Sequence, residues 1–204
     1  MVPKNYELLS SLNSAISRLA PIAAMALAAG LGEIGARFQE DDVPIISVPG
    51  FEADDVLATV ARRIAEHDGA ALILSTDKSM CQLLSSRIGV YDHFANRPLD
   101  VAYVQKRFDV PPMRLPVLWG LAGVASVGFP GVPSVGPKTA ARLINEYGDL
   151  EAILGAAAGM PGKLGAALRA GADSARLGQR LFTLRDDVRV GINLRQLRYI
   201  APAH

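Results

Sequence analysis

The chain has 204 residues, half of them hydrophobic, with 21 Lys and Arg against 20 Asp and Glu and a formal charge of +1. This length suits one large domain or one and a half with a packed core, and the lone Cys81 excludes an intrachain disulfide framework. The charge balance neither requires nor forbids a polyanionic partner, because a local basic surface decides that. Basic residues do concentrate locally: Lys106, Arg107, Arg114, Lys138 and Arg142 in the middle, then Arg176, Arg180, Arg185, Arg189, Arg195 and Arg198 near the end.

Leu8, Leu9, Leu12, Ile16 and Leu19 would share one helical face. The apolar stretch Leu19 to Leu31 resembles a signal-peptide core, but Pro21 interrupts it and it falls short of the roughly 20 residues a membrane span needs. With Cys81 beside Leu83 and Leu84, which implies a buried thiol in a reducing compartment, the expected location is cytoplasmic, with no membrane partner. Leu27, Leu31, Ile34 and Phe38 predict a helix over Met25 to Phe38, and Val43 to Val48 reads as a buried strand ending in the turn Pro49-Gly50. Asp54 to Glu66 predicts an amphipathic helix with Val56, Leu57, Val60 and Ile64 inward. Ala71 to Ser75 predicts the next strand, so strand, helix and strand would form a right-handed parallel unit with its ligand edge at the strands' carboxyl ends.

Further on, Ser79 to Leu84 predicts a short helix, Ile88 to Tyr91 a strand and Asp100 to Phe108 a helix. Leu115 to Val124 predicts an apolar helix carrying the only tryptophan. A turn-rich stretch, Gly128 to Lys138, precedes a helix over Thr139 to Tyr147, and another helix begins at Gly148-Asp149-Leu150-Glu151. Gly155 to Ala172 reads as loosely specified helix or linker, Ser174 to Asp187 as helix, and the remainder through Tyr199 as strand or extended tail.

Two constellations carry chemistry. Glu52, Asp54, Asp55 and Asp77 fall at the predicted ligand edge. Clustered carboxylates raise one another's pKa unless a cation compensates, and an oxygen-only set with no Cys or His beside it points to a hard ion, Mg²⁺ or Mn²⁺. Ordinary helix capping by Asp54 and Asp55 is the competing explanation. The second constellation, Val132 to Ile144, has the form of a helix-hairpin-helix in which free amides hold a phosphate, Gly136 allows close backbone approach, and Lys138 and Arg142 add charge. A plain αα-hairpin is the alternative. A module of this kind grips backbone without reading bases, so its binding would be salt-sensitive and sequence-independent.

Gly50-Phe-Glu-Ala-Asp-Asp55, Ser75-Thr-Asp-Lys78 and Pro130-Gly-Val-Pro-Ser-Val-Gly-Pro-Lys-Thr139, in that order, resemble the 5′-nuclease superfamily of flap endonucleases and polymerase-associated 5′-to-3′ exonuclease domains. Ser75 to Leu84 and Leu118-Trp-Gly-Leu-Ala-Gly123 are most similar to its small stand-alone bacterial branch. The resemblance runs from about Val43 to Val188 and implies an α/β, parallel-sheet (PIN-like) nuclease core over 1–110, followed by a helical DNA-binding region over 111–204. It further implies Mg²⁺-dependent hydrolysis of DNA at 5′ ends or 5′ flaps in replication or repair, with Glu52, Asp54, Asp55 and Asp77 as metal ligands and catalytic residues. Gly131, Ser134, Gly136, Lys138, Thr139 and Arg142 would contact duplex DNA, and the carbonyls of Leu121, Ala122, Pro130, Val132 and Val135 would bind K⁺.

Ser79 stands where many relatives place a further carboxylate, and Gly123-Val124-Ala125-Ser126-Val127 replaces a Gly-Asp-x-x-Asp stretch, so a second metal position is expected to be weak or missing. The family's two leading Asp-bearing strands and basic arch are not matched, apart from a faint echo in Val2 to Tyr6, so the core is expected to be N-terminally incomplete. Two rivals stand beside the nuclease: a catalytically impaired, duplex-binding remnant, and an α/β domain with no nucleic-acid role. Oligomeric state is not encoded legibly.

Overall fold

The computed structural model describes residues 31–41, 43–191 and 193–197. The helical face expected over residues 1 to 20, the apolar stretch up to Leu31 and the echo at Val2 to Tyr6 lie outside these residues. The chain forms two compact units, Met1–Val56 with Asp187–His204, and Leu57–Asp186.

In the first unit, helix α1 (Leu31–Glu40) carries an exposed Arg37–Glu40 pair at 2.8 Å. A Cβ on its Gly35 would lie 3.7 Å from Ile45 Cδ1, so the bare helix face takes the following segment closely. Residues 43–48 do not form the expected strand. Pro44 has no amide to donate, no ladder partner exists for this segment among the described residues, and Ile45 is 52% exposed. The Phe51 amide donates to the Val48 carbonyl across Pro49 and Gly50, whose φ of 83° is what such a turn requires at its third residue. Helix α2 (Ala53–Glu66) starts here, with Asp54 and Asp55 in its first turn. The returning segment holds the buried Val188 and Val190 and ends in a 3₁₀ turn, Leu194–Leu197, rather than a strand.

The second unit contains the sheet. Strands β1 (Ala71–Leu74) and β2 (Ile88–Asp92) are parallel, with Ala71 opposite Ile88 and Leu74 opposite Tyr91, and β3 (Arg97–Pro98) adds antiparallel to β2. Side chains alternate across a strand, so Ile73, Ile88 and Val90 share the buried face. The crossover between the parallel strands is the 3₁₀ helix Lys78–Leu83, which buries Met80, Cys81, Gln82 and Leu83. Burial pushes the Cys81 thiol up to about 11.

Helices fill the rest. Asp100 caps α3 (Val101–Phe108) by accepting from the Tyr103 amide at 2.7 Å, and Asp149 caps α6 (Leu150–Ala156) by accepting from Ala152 at 2.9 Å. Helix α4 (Leu115–Ala122) is apolar all round and lies in the middle, burying Leu115, Pro116, Val117, Leu118, Gly120 and Leu121. It crosses α8 (Ala172–Phe182) at bare backbone: a Cβ on Gly120 would meet the Ala175 carbonyl oxygen at 2.7 Å, and one on Gly178 would meet Gly120 Cα at 2.8 Å. The rings of Phe108, Trp119, Phe182 and Phe129 form an edge-to-face series around this crossing.

Between lie α5 (Pro137–Tyr147) and α7 (Gly162–Ala170). The second accounts for the Ala- and Gly-rich segment, because Gly165 lets the helix close to within van der Waals reach of the Ala157 and Met160 carbonyls and Leu168 is fully buried. Gln82 ties the crossover to the end of α8: its Nε2 donates to the Ser79 and Phe182 carbonyls, and its Oε1 accepts from the Leu184 amide at 3.0 Å.

Candidate metal centre and nucleic-acid interface

Helix α2 explains the position of three of the acids. Glu52 is exposed just ahead of it and its carbonyl receives the first helical amide, Val56, at 3.3 Å. Asp54 and Asp55, half-buried, stand where the unpaired amides of a helix start favour negative charge. All three belong to the first unit and Asp77 to the second. No group of three or more His, Cys, Asp or Glu placed to hold a metal ion is found among the described residues.

Asp77 follows β1 at the carboxyl edge of the sheet. Its amide donates to Ser75 Oγ at 3.0 Å, and its Oδ1 accepts from the Ser79 amide at 2.7 Å, capping the 3₁₀ helix. One carboxylate oxygen is thus committed to the turn and the side chain stays exposed. Ser79, at the site of the expected missing carboxylate, has a buried Oγ with no hydrogen-bond partner, an orphaned hard oxygen two residues from Asp77. Oxygen donors alone fit a hard divalent cation.

Two charged residues at this edge were not singled out by the sequence pattern. Asp92 ends β2 and is buried, its Oδ1 accepting from the Ala95 amide at 3.0 Å. That amide holds its carboxyl below the ordinary range against the opposing effect of burial, and Lys78 and Arg97 reinforce it. Lys78 donates to the Thr76 carbonyl and lies 3.6 Å from Asp92 Oδ2. The available signal was positional, since Asp92 directly follows a predicted strand whose carboxyl end shares the edge with Asp77.

The hairpin is built from backbone closeness. Gly131, with φ 68°, sits against the end of α4: a Cβ there would fall 2.3 Å from the Gly123 nitrogen and 2.6 Å from the Leu121 carbonyl oxygen. Likewise a Cβ on Gly123 would fall 2.6 Å from the Pro130 oxygen. Val132 donates its amide to Leu121 at 2.8 Å and accepts from Val135 at 3.0 Å, while its side chain is buried against Gly171. Of the expected carbonyl set, those of Leu121 and Pro130 lie at this crossing, Ala122 adjoins it, and Val132 and Val135 join it through their amides. Carbonyls with a second lone pair to spare suit a large monovalent cation. Val124 and Phe129 close the loop as a two-residue bridge, Val124 N to Phe129 O 2.8 Å, and Val127 is 67% exposed.

Beyond it, Ser134 adopts φ 66° and Gly136 starts α5 with no side-chain cap. Pro137 has no amide, and the first-turn amides of Lys138 and Thr139 lie ahead of the first carbonyl-to-amide bond, Gly136 O to Ala140 N at 2.9 Å. Lys138 and Arg142 are exposed beside them. Arg142 also reaches Glu146 at 3.3 Å, a solvent-screened pair of little strength.

Comparison with known proteins settles the lineage. A flap endonuclease Xni from Photobacterium profundum is 39% identical over 177 residues, covering 87% of this chain and 68% of that one. This chain belongs to the 5′-3′ exonuclease family. Residues 23–109 match the family's N-terminal resolvase-like domain and residues 110–204 its C-terminal SAM fold. A flap endonuclease Xni from Aeromonas hydrophila is 42% identical over 171 residues, 83% of this chain and 64% of that one, so the chain spans about two thirds of these relatives.

Among solved structures, a mutant of T5 5′-exonuclease superposes with a TM-score of 0.68 over 83% of this chain and 81% of that one at 18% identity. A second T5 5′-exonuclease structure, described with bound divalent zinc, gives 0.62 over 68% and 52% at 22% identity. These likenesses establish the mixed α/β fold, a small sheet followed by many helices. No helix among the described residues is long and apolar enough to cross a membrane.

Proposed function

We propose that this chain is a Mg²⁺- or Mn²⁺-dependent 5′-nuclease that hydrolyses DNA phosphodiesters at 5′ ends or 5′ flaps during replication or repair. Residues 1–110 would form its nuclease core and 111–204 its duplex-gripping region. The observation that carries the reading is the closed glycine crossing of Gly123 and Gly131, which leads into an uncapped α5 start flanked by Lys138 and Arg142. Relatives named as flap endonucleases, and a T5 flap endonuclease described in complex with DNA and metal ions, support it.

The chain's residues divide the work. The Lys138 and Thr139 amides, with the backbone of the exposed Ser134 and Gly136, hold a duplex phosphate, Lys138 and Arg142 neutralise its charge, and the buried Gly131 serves the crossing beneath them rather than the phosphate. This grip touches no base edge, so it is independent of sequence. Glu52, Asp54, Asp55 and Asp77 are the carboxylates that would hold divalent metal, directly or through water. When bound, such an ion supplies Lewis acidity that polarises the phosphoryl oxygens and lowers the pKa of water. The Asp77 oxygen not bonded to Ser79 is the one free to contribute. Carbonyls of Leu121, Ala122, Pro130, Val132 and Val135 are the ones that would hold K⁺ at the hairpin. A DNA substrate and the buried, protonated Cys81 both fit a cytoplasmic location.

Incubation with a 5′-flap DNA at low salt, with Mg²⁺ or with EDTA, tests the reading when binding and cleavage are scored together. Cleavage is expected only with Mg²⁺, and Asp54→Ala or Asp55→Ala should abolish it while leaving binding intact. Binding without cleavage would instead make the chain a DNA-gripping, catalytically impaired member of the family. No binding at all would remove nucleic acid as its partner.

A further inference from the structure

We propose that Lys78 and Asp92 form a positioning pair that holds the Thr76–Ser79 loop, and with it the Asp77 carboxylate, in one presentation at the carboxyl edge of the sheet. The inference rests on the reading of Asp77 as a metal-holding residue and adds two residues that act through it.

Asp77 is exposed, and its own hydrogen bonds, to Ser75 Oγ and the Ser79 amide, span two residues each way. Those bonds shape the turn, and the Ser75 amide, donating to the Tyr91 carbonyl at 3.1 Å, ties only its first residue to β2. Lys78 attaches the turn beyond that point. Its ammonium donates to the Thr76 carbonyl on one side and faces Asp92 Oδ2 at 3.6 Å on the other. Asp92 is a firm anchor: its side chain is 8% exposed, it is the last residue of β2 opposite Arg97 in the ladder, and its second oxygen is bonded to Ala95.

The Lys78 side chain is 32% exposed, so the pair is screened far less than a surface pair and keeps its direction. The result is a bridge between the carboxyl ends of two parallel strands, from the Thr76 carbonyl after β1 to Asp92 at the end of β2. Partners that orient a metal-holding carboxylate typically alter metal affinity about 10–100-fold when removed. Asp92 accepts the Ala95 amide through an oxygen that asparagine also has, so Asp92→Asn removes the charge without removing the turn.

The test uses the full chain without DNA. Hydrogen exchange of the Ser79 amide reads the loop, and Mn²⁺ titration followed by electron paramagnetic resonance reads the metal. Lys78→Met and Asp92→Asn should keep the far-ultraviolet spectrum, speed Ser79 exchange and weaken Mn²⁺ binding about tenfold or more, and Lys78→Arg should restore most of both. Unchanged exchange and affinity in Lys78→Met, or an Arg variant as impaired as the Met variant, would overturn the proposal. If the wild-type chain binds no Mn²⁺ while Lys78→Met still speeds Ser79 exchange, the tether stands and the metal-holding role of Asp77 falls.

Discussion

Ser134 holds a left-handed backbone, φ 66°, at the tip of the hairpin, where a Cβ is a liability. An L-residue there costs about 1–2 kcal/mol, partly offset by the greater freedom glycine has when unfolded. Ser134→Gly should therefore raise stability by about 0.5–1 kcal/mol in urea denaturation. Cys81 makes a different prediction. Burial raises its thiol from 9.0 to about 11, so the protonated form favours folding fully below pH 9 and that contribution is lost as pH rises through about 11. At pH 8 its thiolate fraction is roughly a hundredth of that of an ordinary thiol. Alkylation by iodoacetamide should be at least that much slower in the native chain than after unfolding. Both acid sites lie near strand or helix ends, where residue type and place in the chain were readable. The Lys78–Asp92 pair was not, because it depends on which residue of β2 stands beside the loop from β1, a register that one strand's sequence does not contain.

Local chemistry made most of the helices legible. Asp100 and Asp149 precede their helices as capping residues should, and both accept the third amide onward. Tertiary circumstance decided the exceptions. Val43 to Val48 has the composition of a buried strand, yet a strand exists only when its backbone finds a ladder, and none is described for it. The Ala- and Gly-rich segment looked like a linker because glycine weakens an isolated helix. Its Gly165 and Gly171 are instead contact points, the latter fitting closely against Val132. The same logic governs α4 and α8. Gly178→Ala would drive a Cβ to within 2.5 Å of the Phe129 ring and 2.8 Å of Gly120 Cα. Overpacking of this kind costs about 1–3 kcal/mol, and because one neighbour is backbone the loss should lie at the upper end. Thermal unfolding of Gly178→Ala against an Ala substitution at the exposed Gly155 isolates the effect from helix propensity.

At the scale of the molecule, a formal charge of +1 gives no general attraction for DNA, so the local hairpin must supply it. Each phosphate contact contributes about 0.9 to the slope of log affinity against log salt on duplex DNA. Lys138→Gln should reduce that slope by about 1 and weaken binding alike on unrelated sequences, measured by fluorescence anisotropy. A change confined to one sequence would mean that bases are read. The Gln82 amide adds a temporal order to the making of the protein. Its partners Phe182 and Leu184 lie 100 and 102 residues downstream. At a synthesis rate of roughly 5–20 residues per second, Gln82 leaves the ribosome about 5–20 s before they do. For that interval water must serve its carbonyl oxygen, so the crossover behind β1 cannot seal, and a nascent chain arrested before residue 182 should be cut by protease there while the finished chain resists.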